Sequence, residues 1–185
     1  PRRAAGIRKI ALGPCDARFV RRKDGSLLIR SPHSLGDYPT NLTQRLVHWA
    51  QLAPQRIFMA QRDDNGAWRS LNYAQALSSV HAIGQALLDR GLSVERPIAI
   101  LSGNDIEHAL LALAAMYAGI PYAPISVPYS LMSGDFGKLK SIMEALTPGL
   151  VYASDGSMFA RAIDAAVPDD AEVVTAFNPP GFRHI

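Results

Sequence analysis

The sequence predicts an α/β fold in which a mostly parallel sheet is flanked by helices on both faces, with an N-terminal β-hairpin arm. Helix-periodic segments alternate with short strands along most of the chain, an order typical of right-handed crossovers between parallel strands. The run Pro97–Leu101 is short and wholly apolar, as expected of a strand buried on both faces. Near the N-terminus, Asp24-Gly25 separates two β-prone runs and predicts a hairpin turn.

The first 39 residues are predicted to comprise an irregular arm up to Ala17, the hairpin Arg18–Arg30 and a linker, Ser31–Pro39. Basic residues crowd its first part: Arg2, Arg3, Arg8, Lys9, Arg18, Arg21, Arg22 and Lys23. Such a cluster suits nucleic acid, an acidic membrane, or simply a solvated terminus. No aromatic residue interleaves with the basic residues before Phe19, so base stacking is not supported. We therefore expect no nucleic acid and no membrane as a partner.

An α/β domain is predicted over residues 40–178, and its first helix begins near Leu42. Asn41 is placed to cap this helix, with Gln44 reaching back to the cap. Pro54 ends the helix. Two strands, Ile57–Arg62 and Trp68–Leu71, follow as a hairpin around an Asp-Asp-Asn-Gly turn.

The next helix, Tyr73–Arg90, repeats the Asn-x-x-Gln start at Asn72, and Gly91 suits the left-handed position just past its end. A helix opened by Asn104 with Glu107 and closed by Gly119 follows the apolar strand. The remaining predicted elements are a strand Tyr122–Ser126, a helix Leu131–Leu146, a strand Leu150–Ala153, a helix Met158–Ala166 and a strand Glu172–Ala176. Residues 179–185 are expected to be the start of a linker or a truncated end.

Composition places the chain among globular proteins of a reducing compartment. Of 185 residues, 48% are apolar and 19% charged, with a net charge of +3, enough for a core and a wet surface. Cys15 is the only cysteine, which excludes an intramolecular disulfide or a Cys-x-x-Cys metal site. No apolar signal segment is visible, and the longest apolar stretch, Ala109–Tyr122, is too short to span a bilayer. We expect a cytoplasmic location.

Several residue patterns have both a functional and a structural interpretation, and the structural one is favoured. Ser102–Asp105 precedes a helix N-terminus, where backbone amides bind anions, but Asp105 already supplies the negative charge. The dinucleotide-binding glycine pattern is absent. The helical histidines His48, His81 and His108 lack a second ligand at metal-binding spacing. Ser154–Ser157 is interpreted as a strand-to-helix turn. The tryptophans, Trp49 and Trp68, are expected to supply core area.

The stretch from Leu71 to Pro128 carries a family resemblance. It includes L-N-Y-A-Q-A-L, then G-Q-A-L-L-D-R-G-L, then R-P-I-A-I-L-S-G-N-D-I-E-H-A-L-L-A-L-A-A-M-Y-A-G-I-P-Y-A-P-I-S-V-P. Together these resemble the opening of the adenylate-forming acyl-CoA synthetases and are closest to the feruloyl-CoA synthetase branch. The resemblance covers about Thr40 to Asp155. One departure is Glu95-Arg96, where many members carry Gly-Asp at a turn.

The resemblance implies ATP, Mg and coenzyme A as cofactors and a small carboxylic acid, such as an aromatic acid of the ferulate type, as substrate. It also makes Ser126, Val127, Pro128 and Tyr129 candidates for coenzyme A contact, because the family's equivalent stretch lies beside the channel for that cofactor. Arg161 becomes a candidate partner for one of its phosphates. Alternatively, the prolines only shape a turn and Arg161 is an ordinary surface residue.

No catalytic residue is assigned within this chain. The family's Ser/Thr/Gly-rich phosphate loop ending in Pro-Lys, its aromatic-Thr-Glu segment, its ribose-binding Asp and its C-terminal lysine have no match. We expect an inactive N-terminal fragment whose partner is the missing remainder of the enzyme, and which self-associates through exposed apolar area. The alternatives are an adenylation domain serving a carrier protein, a free-standing binding or oligomerisation module, and an unrelated parallel-sheet nucleotide binder.

Overall fold

The computed structural model describes residues 13–63 and 65–179, and the chain divides into two units between Tyr38 and Pro39. The first unit contains the predicted hairpin. Strands β1 (Arg18–Arg21) and β2 (Leu27–Arg30) pair antiparallel. The Asp24 carboxylate accepts hydrogen bonds from the backbone and the hydroxyl of Ser26, and Gly25 adopts a φ of 85° in the turn. The first 12 residues of the predicted arm and residues 180–185 of the predicted end lie outside the described residues.

The second unit is built on a parallel sheet of four strands, which confirms the predicted fold class. These are β5 (Ile98–Leu101), β6 (Tyr122–Pro124), β7 (Leu150–Asp155) and β8 (Glu172–Phe177). Their order is β6-β5-β7-β8, and every pairing is parallel. Strand β5 therefore lies inside the sheet, and all four of its residues are fully buried.

Side chains that alternate along the central strands fill two separate cores. On one face, Ile98, Ile100 and Tyr152 pack with helices α2 (Tyr73–Asp89) and α3 (Ile106–Ala118). On the other, Ala99, Leu101 and Val151 pack with the helices that follow β6 and β7. Full burial of an Ile or Leu side chain is worth about 1.5–3 kcal/mol, so both helix layers stabilise the same strands.

The elements ahead of the sheet largely match the sequence prediction. Helix α1 covers Thr43–Leu52, and a β-hairpin follows, formed by β3 (Ile57–Arg62) and β4 (Trp68–Asn72). The predicted capping box of α2 is confirmed, since Asn72 and Gln75 each accept the other's backbone N–H. Asn41 accepts from Gln44 N, but the Gln44 side chain donates to Thr40 instead of returning to the cap.

The prediction that both tryptophans contribute to the core holds for Trp49 and is wrong for Trp68. Trp49 is half-buried, and its ring packs beside that of Tyr73. Trp68 is 63% exposed, with the Arg62 guanidinium 4.6 Å from its ring centroid. This side chain stands on a strand of a two-stranded hairpin, where one face has no second layer to cover it.

The single helix predicted over Leu131–Leu146 is wrong, because the chain forms two helices there. Helix α4 spans Val127–Leu131 and helix α5 spans Gly137–Leu146. Between them Ser133 Oγ accepts from Phe136 N and Asp135 Oδ1 accepts from Gly137 N, each at 3.0 Å. Side chains that bond nearby backbone amides in this way compete with a continuous helix.

A similar side-chain turn shortens the last helix, α6, to Ala160–Ala166. Asp155 Oδ1 accepts from the backbone amides of Ser157 and Met158, so the chain turns at the end of β7 before the helix begins. None of the helices described is both long enough and apolar enough to cross a membrane.

The packing at Gly149, next to the start of β7, leaves little room for a side chain. An added Cβ would lie 2.7 Å from Leu92 Cδ2 and 3.0 Å from Arg96 Cβ. Gly149→Ala should therefore lower the free energy of unfolding by about 1–3 kcal/mol, measured by urea unfolding followed by circular dichroism.

Gly84→Ala is the matched control for that experiment. Gly84 lies in α2, and an added Cβ would meet its nearest atom, Ala114 O, at an ordinary 3.7 Å. Alanine favours a helix interior over glycine by about 0.5–1 kcal/mol, so this variant should be as stable as the wild type or more stable. Equal unfolding midpoints for Gly149→Ala and the wild type would contradict the close packing.

Candidate functional site

Three loops meet the carboxyl edge of the parallel sheet, because the parallel strands all end there. They are Ser102–Asp105 after β5, Ile125–Ser126 after β6 and the Asp155–Phe159 turn at the end of β7. Ligands of open α/β sheets bind at this edge. A functional site in this chain is therefore expected at this edge.

The loop after β5 caps helix α3 with its own side chains. The cap is Asp105, which accepts from His108 N at 2.6 Å and also from the Ser102 hydroxyl. The predicted cap pair Asn104 and Glu107 is wrong. Glu107 pairs with Arg69 of β4 instead, with Arg69 Nη2 2.8 Å from Glu107 Oε2.

A residue from the β3–β4 hairpin completes this cap. Gln61 Oε1 accepts from Ile106 N at 3.0 Å, so a side chain 45 positions away occupies an amide that a bound anion would need. With Asp105 as the N-cap and Glu107 in the first turn, the helix end carries its own counter-charge. The structural interpretation of Ser102–Asp105 is confirmed.

The Arg69–Glu107 pair lies close enough to Tyr152 to act on its hydroxyl electrostatically. The hydrogen bond from Arg69 lowers the pKa of the Glu107 carboxyl below its ordinary value. The Tyr152 hydroxyl is buried and has no hydrogen-bond partner among the described residues. Its burial, assisted by the charges of Asp105 and Glu107, raises its pKa, so this hydroxyl stays protonated.

The residues predicted to contact coenzyme A lie on helix α4 rather than in an irregular loop. Ser126 precedes the helix and Val127, Pro128 and Tyr129 form its first turn, in which Tyr129 N donates to Ser126 O at 3.0 Å. Proline is tolerated there because the first helical amides have no intrahelical partner. Val127 is half-buried, and the other three residues are exposed.

Arg161, the remaining predicted residue, lies on α6, which packs against α4. Its guanidinium is exposed and lies 5.8 Å from the centroid of the Phe136 ring. None of the ion pairs found among the described residues includes Arg161. The structure thus places Val127, Pro128, Tyr129 and Arg161 on two adjoining helices, with Ser126 immediately ahead of the first, and leaves the Arg161 charge available to an anion.

Two concave surfaces near this edge were not predicted from the sequence. The apolar cleft, about 500 Å³ in volume, lies between β3, α3 and β6 and is lined by Met59, Ala60, Gln61, Asn104, Asp105, Ile106, His108, Ala109, Ala112, Tyr122 and Pro124. The charged crevice, about 760 Å³, is lined by Gln61, Arg62, Asp63, Arg69, Asp105, Glu107, Ser154, Asp155, Met158, Phe177 and Asn178. Both include hairpin residues that are distant in sequence, so no local motif announces them.

The charged crevice does not suit a phosphate group. Four carboxylates line it against two arginines, and one of these arginines is engaged with Glu107. Across residues 13–63 and 65–179, no group of three or more His, Cys, Asp or Glu side chains is arranged to hold a metal ion.

Comparison with known proteins identifies the family. The AMP-binding enzyme family matches residues 46–175, which is more than half of the chain, and the chain therefore belongs to this family. No curated protein matches it.

The chain also matches parts of several solved structures. A fatty acyl-adenylate ligase from L. pneumophila, solved with acyl adenylate and pyrophosphate, has 18% identity and a TM-score of 0.58 over 73% of this chain and 23% of that chain. VinN has 20% identity and a TM-score of 0.60 over 75% of this chain and 32% of that chain. The Klebsiella oxytoca NpsA N-terminal subdomain, in complex with 3-hydroxyanthranilyl-AMSN, has 15% identity and a TM-score of 0.55, over 74% of this chain and 31% of that chain. At these identities the likeness shows the fold, and the chain spans less than a third of each of these proteins.

The turn at the end of β7 is expected to make stability depend on pH through Asp155. Hydrogen bonds from Met158, Ser157 and Asn178 lower the pKa of Asp155 from 3.8 to about 2. A carboxyl whose pKa falls on folding stabilises the fold above its unfolded pKa of about 4, and this contribution disappears as the pH falls through about 2.

Asp155→Asn keeps the capping oxygen and removes the charge, so it isolates this effect. The variant should lose part of the decline in unfolding free energy between pH 4 and pH 2, measured by urea unfolding at several pH values. Glu144→Gln, on the exposed side of α5, is the control and should retain the wild-type slope. An unchanged slope in Asp155→Asn would show that the turn does not hold the charged form.

Proposed function

We propose that this chain is the N-terminal portion of an acyl-CoA synthetase. In that reaction a carboxylate attacks ATP, an acyl-adenylate forms with release of pyrophosphate, and the acyl group then passes to coenzyme A. The observation that carries the proposal is the match of residues 46–175 to the AMP-binding enzyme family, together with the fold shared with adenylate-forming ligases.

The residues described here do not fit the phosphates of ATP. The N-terminus of α3 is occupied by Asp105 and Gln61, and the neighbouring crevice has an excess of carboxylates. No Ser/Thr/Gly-rich loop is present in the sequence. In this proposal ATP and its Mg bind to other parts of the enzyme, and no catalytic step is assigned to a side chain here.

The coenzyme A assignment rests on helix α4 and its neighbour α6. Ser126, Val127, Pro128 and Tyr129 follow the carboxyl end of β6, where ligands of such sheets bind. The exposed guanidinium of Arg161 suits a phosphate oxygen. These residues bind and orient the cofactor in this proposal, and the thiol chemistry belongs to the cofactor.

An aromatic acid of the ferulate type is the proposed substrate. Its support is the resemblance of the stretch from Leu71 to Pro128 to the feruloyl-CoA synthetase branch. A fatty acid or an amino acid activated for a carrier protein is the second candidate, since the structural relatives include a fatty acyl-adenylate ligase and an NpsA adenylation domain artificially fused to a carrier protein.

The chain alone is expected to catalyse no acid-dependent exchange of pyrophosphate with ATP, because the phosphate-binding loop and the charge-stabilising lysine are absent. A longer polypeptide that contains this chain should catalyse it with aromatic acids. The assay uses panels of aromatic, fatty and amino acids, with a no-protein control. Exchange by the chain alone would contradict the assignment of catalysis to other residues, and its absence in the longer polypeptide with every acid would contradict the proposed function.

Val127→Trp in the longer polypeptide should obstruct thioester formation while leaving adenylate formation nearly intact. A bulky ring on the first turn of α4 would intrude on the coenzyme A path but not on ATP, which is held elsewhere. Acyl-CoA release and acid-dependent pyrophosphate exchange are measured separately.

Leu88→Trp, at an exposed position of α2, is the matched control and should leave both half-reactions unchanged. If Val127→Trp lowered both half-reactions equally, or lowered only exchange, the coenzyme A assignment of α4 would be wrong.

A further inference from the structure

The apolar cleft is an open surface depression with the volume of a small-molecule site. Its volume of about 500 Å³ falls in the range of about 300–1,000 Å³ typical of such sites. Met59 of β3, Ile106 and Ala109 of α3, and Tyr122 and Pro124 of β6 form an apolar wall. Three different elements therefore shape the cleft, and all of them belong to the same unit of the chain.

Several polar groups at the rim of this cleft already have partners. Asp105 accepts from Ser102 and His108, and Gln61 accepts from Ile106 N. These oxygens already accept hydrogen bonds at the N-terminus of α3. Among the described residues, no hydrogen bond is found for the side-chain amide of Asn104, the Nε2 of Gln61, the hydroxyl of Tyr122 or the Nε2 of His108.

The hydrogen bond that His108 makes determines what its ring can offer. Nδ1 lies 2.8 Å from the carbonyl oxygen of Gly103, and because a carbonyl only accepts, Nδ1 carries the proton. In the neutral ring Nε2 is then an acceptor. No hydrogen bond involving Nε2 is found among the described residues.

The charge of the cleft excludes anions. No lysine or arginine lines it, and Asp105 contributes a negative charge. The nearby Arg69 points to Glu107 in the charged crevice. A carboxylate or phosphate entering the apolar cleft would meet like charge without a counter-ion.

We propose that the apolar cleft binds an uncharged phenolic ring, with the apolar wall holding the ring and the phenol hydroxyl donating to His108 Nε2. The lining of the cleft ends at Pro124, and none of the proposed coenzyme A residues, which begin at Ser126, belongs to it. The inference does not depend on the proposed function, because it uses only the lining and hydrogen bonds of the cleft.

The test compares three ligands of nearly equal shape: 4-methylphenol, toluene and 4-methylbenzoate at neutral pH. Dissociation constants are measured by chemical-shift titration of the ¹⁵N-labelled chain. We expect 4-methylphenol to bind about fivefold more tightly than toluene, the value of one net hydrogen bond of about 1 kcal/mol, and 4-methylbenzoate to bind most weakly. The shifts should centre on His108, Ala109 and Tyr122.

Variants at position 108 separate hydrogen bonding from apolar contact. His108→Leu should reduce 4-methylphenol binding to the level of toluene, whereas His108→Gln, which keeps an acceptor, should retain part of the preference. Ala109→Phe should weaken both ligands by filling the cleft. His81→Leu, at an exposed histidine of α2, is the matched control and should bind both ligands as the wild type does.

Long-range ¹H–¹⁵N correlations of the His108 ring give an independent check, and should show protonation at Nδ1 alone in the neutral ring. Equal affinities for 4-methylphenol and toluene, an unchanged preference in His108→Leu, or shifts centred away from the cleft would each overturn the proposal. The wild-type ligand series and the ring correlations need no variant, so a folding defect in Ala109→Phe leaves the test intact.

Discussion

The complete burial of strand β5 is the constraint on which the rest of the larger unit depends. Ile98, Ala99, Ile100 and Leu101 have no exposed surface, so helices must cover both faces of the sheet around them. Parallel strands need long crossover connections, and in this chain helices form those crossovers and cover the sheet. The crossovers bring every loop that follows a strand to one edge, and this is why the candidate sites lie there.

At that edge the β3–β4 hairpin does more than cover the core. Gln61 Oε1 accepts a hydrogen bond from Ile106 N, and Arg69 forms an ion pair with Glu107. The hairpin thereby satisfies a backbone amide at the N-terminus of α3 and leaves few free hydrogen-bond donors there for an anion. The same contacts divide the edge into an apolar cleft on one side and a charged crevice on the other, with Gln61 and Asp105 lining both.

The chain belongs to the AMP-binding enzyme family, and what its described residues provide is mainly a scaffold. The first part of the fold supplies a rigid sheet, and the proposed coenzyme A residues stand on the short helix that leaves it. Helix α4 packs against α5 and α6, so the position of Arg161 relative to Tyr129 follows from packing between helices rather than from a shared motif. The apolar cleft ends where β6 ends, just ahead of Ser126, and places two surfaces of different chemistry next to each other.

Sequence alone determined the features of this protein that depend on near neighbours. The Asp24-Gly25 hairpin, the Asn72–Gln75 capping box, the left-handed Gly91 and the end of α3 at Gly119 were all predicted, and the structure confirms them. Each rests on hydrogen bonds or backbone angles within a few residues. The alternation of strands and helices likewise predicted the α/β class, because a parallel sheet needs its crossovers.

Only the tertiary structure decided which of two adjacent acceptors caps α3, where the helix after β6 breaks, and that Trp68 faces solvent. Asn104 and Asp105 are both good caps. Asp105 is the cap in the structure, where Gln61 bonds Ile106 N and Arg69 pairs with Glu107. Gln61 and Arg69 lie 44 and 36 positions upstream of Asp105 in the sequence. The two clefts escaped prediction for the same reason. Their walls come from segments that the chain brings together only after the sheet has formed, and no local pattern records a contact between residues so far apart.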